Sequence, residues 1–193
     1  MPKKRNTPIG SIALSANNSV SLDLPRERVV SKYFLELTGA ITVTVASTNI
    51  NESPQRLLRR IELERDGETP VVWSGEELYF FNYLMNGTLP DQQVQGTTVA
   101  THNFRVMLPL PLELVRTGVP GKTYLDTARL NTLRLRITWG NIDSLISAGT
   151  ATLDSATVNV LEESLQTPAN RLGGPFDDLV ISKVVETFSS ATS

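Results

Sequence analysis

Leu133-Arg134-Leu135-Arg136-Ile137-Thr138-Trp139 alternates apolar and polar side chains without a break. Successive side chains of a strand point to opposite faces. The segment therefore predicts a β-strand that buries Leu133, Leu135, Ile137 and Trp139 and turns two arginines and a threonine outward. The same period extends in both directions. Val20, Leu22 and Leu24 alternate with Ser19, Ser21 and Asp23 as far as Pro25, and Ile12 and Leu14 come before them. Tyr33, Leu35 and Leu37 alternate with Lys32, Glu36 and Thr38, and after Gly39 come Ile41, Val43 and Val45 against Thr42 and Thr44. Leu57, Ile61 and Leu63 run into Asp66-Gly67, a turn pair that predicts a hairpin to Val71-Val72-Trp73. Phe104, Val106, Leu108 and Leu110 make another strand, and Ala156, Val158 and Val160 a last one. Eight or nine strands follow from this pattern.

One stretch breaks the period. Ser74-Gly75-Glu76-Glu77 has the spacing of a capping box, and Asn86-Gly87 suits the far end of a helix over 75–85. Leu78, Tyr79, Phe80, Phe81, Tyr83, Leu84 and Met85 fall all round it, so one face is expected on the sheet and another on a neighbouring subunit. Short helical turns are expected at 112–116 and 142–147. Long polar connections are expected at 87–98 and 117–127, where Gly, Pro, Asp, Gln and Thr supply turns. Past Gln166, Gly173-Gly174-Pro175 forms a hinge-like break before Leu179, Val180, Ile181, Val184 and Val185, an apolar segment that suits pairing with the barrel or a neighbouring chain.

The 193 residues are 40% apolar and 20% charged, enough to build one core without a disulfide or metal. A net charge of −2 offers no long-range attraction to nucleic acid or anionic lipid. There is no cysteine, which excludes thiol nucleophiles, disulfides and cysteine metal sites. No run reaches the roughly 18 apolar residues of a membrane-spanning helix. No export signal is expected, because Asn6, Thr7, Pro8 and Gly10 stand where its apolar stretch would be placed.

The inventory for catalysis is thin. His102 is the one histidine, which excludes two-histidine relays within a chain, and a structural or solvent-facing role is expected for it. The neighbouring carboxylates Glu76-Glu77, Glu162-Glu163 and Asp177-Asp178 do not make a facing acid–base pair. Neighbours on a strand point apart, and Glu76-Glu77 suits a helix N-terminus. Arg56, Arg59, Arg60, Arg65, Arg129, Arg134 and Arg136 raise a nucleic-acid reading. Glu62, Glu64 and Glu68 share the hairpin, however, and no aromatic platform is interleaved, so cross-strand ion pairs on a solvated or intersubunit face are the better reading. Lys3, Lys4 and Arg5 suit a weak contact with phosphate or lipid headgroups, at about 1 kcal/mol per residue near an anionic surface. No cofactor, metal or small-molecule substrate is expected.

Many short antiparallel strands, one helix and long loops predict an all-β fold, a single jelly-roll barrel or sandwich. Its parts are a flexible basic arm over 1–9, the jelly roll over 10–165, and a linker with a C-terminal arm over 166–193. Three features resemble the small single-barrel major capsid proteins of tailless icosahedral viruses with an internal membrane, which infect thermophilic bacteria and haloarchaea. They are the Pro-terminated strand Val20–Pro25, the run Tyr33-Phe34-Leu35-Glu36-Leu37-Thr38-Gly39-Ala40-Ile41-Thr42-Val43, and Leu57-Leu58-Arg59-Arg60-Ile61-Glu62-Leu63 leading through Asp66-Gly67 to the Ser74-initiated aromatic helix.

The resemblance covers about residues 10–165. It implies an upright barrel in pseudo-hexameric capsomers over a lipid bilayer, formed by copies of this chain or with a sister capsid protein. It also implies production in the host cytoplasm, residence in the virion and no catalytic residues. The near-neutral charge departs from the acidic halophilic members. The tail after Gln166 has no counterpart, which leaves both an arm and the start of a second barrel open. The subunit interface is expected at Leu78, Tyr79, Phe81, Tyr83 and Met85 of the helix and at Leu179, Ile181 and Val184 of the tail. A charge at Phe81 or Tyr83 is then expected to block assembly and leave the fold intact. The alternative is a ligand-binding β-sandwich, such as a carbohydrate-binding or phage receptor-binding module. That reading calls for exposed aromatics, whereas Trp73 and Trp139 sit in strand patterns.

Overall fold

Alternating side chains need a second apolar surface to cover them, and here two antiparallel sheets cover each other. The computed structural model describes residues 4–51, 53–112 and 124–165. In chain order the elements are β1 (Lys4–Ala13), β2 (Ser19–Asp23), β3 (Val29–Asn49), β4 (Leu58–Arg65), β5 (Glu68–Trp73), α1 (Gly75–Asn86), β6 (Gln92–Gln93), β7 (Ala100–Pro111), β8 (Leu125–Asp126), β9 (Leu133–Trp139) and β10 (Ile146–Leu165). One sheet has the order β1-β10-β3-β7-β6, with β8 on the start of β3, and the other has the order β2-β9-β4-β5.

The pairings are nested: β1 with β10, β2 with β9, β3 with β7, and β4 with β5. A long antiparallel ribbon folded in this way, then closed by β3 on β10 and β4 on β9, is a jelly roll. The expected all-β jelly-roll architecture is therefore the one observed.

The core lies between the sheets. Tyr33, Leu35, Leu37, Ile41 and Val43 of β3, Phe104 to Leu110 of β7 at every second position, and Val158 and Val160 of β10 face Leu58, Ile61, Leu63, Leu133, Leu135, Ile137 and Trp139. Each such side chain contributes about 1.5–3 kcal/mol on leaving water. Within β3 the alternation passes through Gly39, where a Cβ would stand 2.3 Å from the Phe104 ring and 2.5 Å from the Ser155 carbonyl oxygen. Only glycine lets the ring of Phe104 lie over this strand.

All four outer edges of the sheets are blunted. In β1 the edge carries Pro8 and a register shift between Pro8 and Gly10. Pro70 interrupts the edge strand β5, β6 has two residues and β2 has five. Proline offers no amide to a further strand.

Three expectations are corrected here. The arm expected over 1–9 is strand from Lys4 onward, in register with β10 from Lys4↔Leu165 to Ala13↔Thr157; Lys3 lies outside the described residues. Of the turn expected at 142–147, Ile142–Ser144 is a 3₁₀ turn and β10 begins at Ile146. The last strand is twenty residues long and β3 twenty-one, because both continue into a Thr/Ser/Ala ribbon beyond the core. The turn expected at 112–116 falls from residue 113 outside the described residues, as does the segment 166–193.

Candidate functional site: an apolar flank built by α1 and the loop after it

The flank begins with a well-specified helix. The Ser74 hydroxyl accepts from the Glu77 amide at 3.1 Å, and the Glu77 carboxylate accepts from the Ser74 amide at 2.7 Å, the reciprocal cap expected. At the far end Gly87 adopts φ 71°, and its amide donates to the Tyr83 carbonyl at 2.8 Å. Asn82 fixes the helix to the sandwich, since its side-chain amide donates to Leu78 O at 2.8 Å and to Pro109 O of β7 at 2.7 Å. Only a polar residue inside an apolar run hinted at this anchor.

The helix therefore presents two faces. Leu78 and Tyr79 are buried in the common core. Neither reaches the surface, which corrects their place in the expected interface. Phe81 is half-buried, its ring 4.8 Å from Trp73, so it too is packed within the subunit. Phe81 thus has an intrachain partner that the expectation of a purely intersubunit role did not include. Met85 is half-buried. Tyr83 is 45% exposed, and the outward row is completed by Phe80 at 41% and Leu84 at 74%. These last two were missed because apolar groups surround the helix and spacing alone does not choose the inner face. Leu179, Ile181 and Val184 lie outside the described residues.

After Gly87 the chain returns along β7. Met107 N donates to Asp91 O at 3.0 Å, Gln92 and Gln93 pair with Val106 and Arg105, and Ser47 N donates to Thr97 O at 2.9 Å. Leu89, Val94 and Val99 of this return are exposed. From Leu78 to Phe104 the sequence holds one carboxylate, Asp91, and no lysine or arginine. Asp91 is 3.1 Å from Arg105.

Elsewhere many charges form ion pairs. On the outer face of the β2-β9-β4-β5 sheet, Arg136 reaches Glu64 at 2.9 Å and Glu62 at 3.8 Å, Arg60 reaches Glu62 at 2.9 Å, and Arg134 reaches Asp23 at 2.9 Å. Arg134 and Arg136 make the cross-strand pairs expected of them, whereas Arg60 and Glu62 share β4. On the other sheet Arg105 lies 2.7 Å from Glu36, and its hydrogen bond holds the Glu36 carboxyl below the usual carboxylate range despite partial burial. Lys4 reaches Glu163 at 2.9 Å, which engages part of the basic cluster expected to seek phosphate; Arg5 is exposed. Glu162 and Glu163 point to opposite faces, and Arg28 meets the buried Glu162 at 3.2 Å. Burial first, and the nearby Glu162 carboxylate second, push the Tyr33 phenol up.

The His102 ring donates from Nε2 to the Thr98 carbonyl oxygen at 2.7 Å. Among the described residues no group of three or more His, Asp or Glu is gathered as a metal would require. Trp73 and Trp139 are both buried, so neither forms an exposed stacking surface. Clefts of about 350 and 780 Å³ are lined by Arg56, Arg59, Ser74 and Glu76, and by Asp23, Arg26, Asn131 and Arg134.

No family model matches the chain, and no curated protein does. Solved structures do. The chain is similar to the crystal structure of the STIV major capsid protein, at 16% identity and TM-score 0.70 over 89% of this chain and 52% of that one. It is similar to the atomic structure of Sulfolobus Turreted Icosahedral Virus, at 17% identity and TM-score 0.67 over 88% of this chain and 47% of that one. PBCV-1 VP54, fitted into a reconstruction of the virophage Sputnik, matches at 14% identity and TM-score 0.51 over 89% of this chain and 44% of that one. The chain spans about half the length of these structures. Its fold is that of the jelly-roll viral capsid proteins.

Proposed function

We propose that the chain is a structural subunit of an icosahedral virus shell, a major capsid protein that assembles with copies of itself or with a sister capsid protein. The observation that carries this reading is the likeness to capsid proteins over nearly nine-tenths of the chain. The flank formed by Phe80, Tyr83, Leu84, Leu89, Val94 and Val99 is the contact with the next subunit. Depletion of charge and enrichment in aromatics mark the centre of protein interfaces, and residues 78–104 have both. Residence in the virion follows from the same reading, as does a shell laid over an internal membrane. A membrane contact through the basic N-terminus draws on Arg5 more than on Lys4, which faces Glu163.

Electron microscopy and light scattering of the purified full-length chain test this. Regular capsomers or closed particles are expected, with Leu84→Asp shifting the product to smaller species while leaving the far-ultraviolet circular dichroism unchanged. A chain that stays monomeric at high concentration and binds members of a glycan array would favour the ligand-binding sandwich instead.

A further inference from the structure

The outer face of the β1-β10-β3-β7 sheet carries an apolar row that crosses all four strands. Pro8 is in register with Leu161, Leu161 with Phe34, and Phe34 with Pro109. The four lie on the side opposite the core, because Val160, Leu35 and Leu108 beside them face inward. On β10 and β3 polar groups bound the row on both sides, while on β7 its outward neighbours are Pro111 and Met107. Glu163 and Lys32 occupy the row before it, and Asn159 and Glu36 the row after it. The opposite sheet has no such row on its outer face. Its registers read Asp23–Arg134–Glu64 and Ser21–Arg136–Glu62. An apolar band framed by ion pairs is what a covered surface looks like.

The sequence beyond Leu165 holds an apolar segment within reach of this row. The described part ends at Leu165, in the same strand as Leu161 and four residues beyond it, about 13 Å along β10. Twenty-eight residues follow, and Leu179, Val180, Ile181, Val184 and Val185 are their densest apolar cluster. From Leu165 to Leu179 is fourteen residues, an extended reach of about 46 Å. Gly173-Gly174-Pro175, a strong turn signal, lies midway and allows the direction to reverse. The α1 flank lies across β3 and β7 from this exit, whereas the row lies beside it.

We infer that residues 179–185 dock on the Pro8–Leu161–Phe34–Pro109 row of their own chain. The segment is then an intrachain clasp that covers one sheet and leaves the α1 flank free. The inference does not depend on the capsid reading.

The absence of native cysteine allows a direct test in the full-length chain. Ser182→Cys is combined with Asn159→Cys beside the row, or with Ser21→Cys on the opposite sheet, and treated with a short bis-maleimide. Intrachain bridging of the 182–159 pair is expected at least tenfold faster than that of the 182–21 pair. Adding Phe34→Ser should bring it down to the control rate. If that variant alters the far-ultraviolet circular dichroism, Leu161→Ser takes its place. Equal rates for the two pairs, bridges formed only between chains, or a rate indifferent to the loss of the apolar row would each overturn the inference.

Discussion

The ring of Phe81 lies 4.8 Å from that of Trp73, the planes tilted by 41°, so a residue on α1 is locked to the edge strand β5. This contact separates the two roles of the helix. Phe81→Asp places a carboxylate in a half-buried aromatic site and should lower stability by about 2–4 kcal/mol in a urea titration. Leu84→Asp, three positions on and exposed, should stay within about 0.5 kcal/mol of the parent and act on association alone. Equal destabilisation by the two would contradict the assignment of faces.

Both ends of α1 are closed by specific chemistry, and each can be removed singly. Ser74→Ala leaves the Glu77 amide without its acceptor and should cost about 1 kcal/mol, lowering Tm by about 2–4 °C for a chain of this length. Gly87→Ala forces a Cβ into a left-handed conformation and should cost a further ~1 kcal/mol. The ends share no partner, so the double variant should lose the sum of the two, read by calorimetry.

Glu36 carries a pH dependence. Its carboxyl is held below the ordinary range, first by the Arg105 hydrogen bond. A depressed folded-state value means that the contribution is complete above the unfolded value of about 4.3 and is lost as the pH falls through the folded one. Arg105→Gln should raise the Glu36 titration seen by carbon-detected NMR and flatten the fall in stability below about pH 4. An unmoved titration would show that Asn159, the second hydrogen-bond donor to Glu36, suffices.

Gly39→Ala should destabilise by about 1–3 kcal/mol, since the new methyl meets both the Phe104 ring and the Ser155 carbonyl. Adding Phe104→Leu relieves one clash only. The pair should therefore recover less than the full loss in a thermal melt, and complete recovery would mean that the carbonyl moves freely.

How much of this was legible in the sequence depends on whether a residue's partner is local. Alternation marked every long core strand, as at Leu133 to Trp139, because one buried face imposes a period of two. Ser74, Glu77 and Gly87 announced α1 because caps are made within a few residues. The strand from Lys4 to Pro8 had no such signature. Its side chains are mostly exposed, and its strand character comes from amides paired with a segment more than 150 residues away. The ribbon ends of β3 and β10 were hidden for the same reason, as was β6, which is held by backbone contacts to β7. At the candidate flank, aromatic content pointed to the helix, but only the packing of Trp73 and the Asn82 anchor decided that Phe80 and Leu84 face out while Leu78 and Tyr79 face in.

The prolines at positions 8 and 70 bear on how such a molecule behaves when crowded. An unbroken rim of free amides is a zipper that any passing chain can run along, with no natural stopping length and little chance of release. With those rims interrupted, neighbours have to match shape and side chain before they hold, and a mismatched pair lets go. Interrupted rims of this kind deny a passing chain the continuous template on which fibres grow.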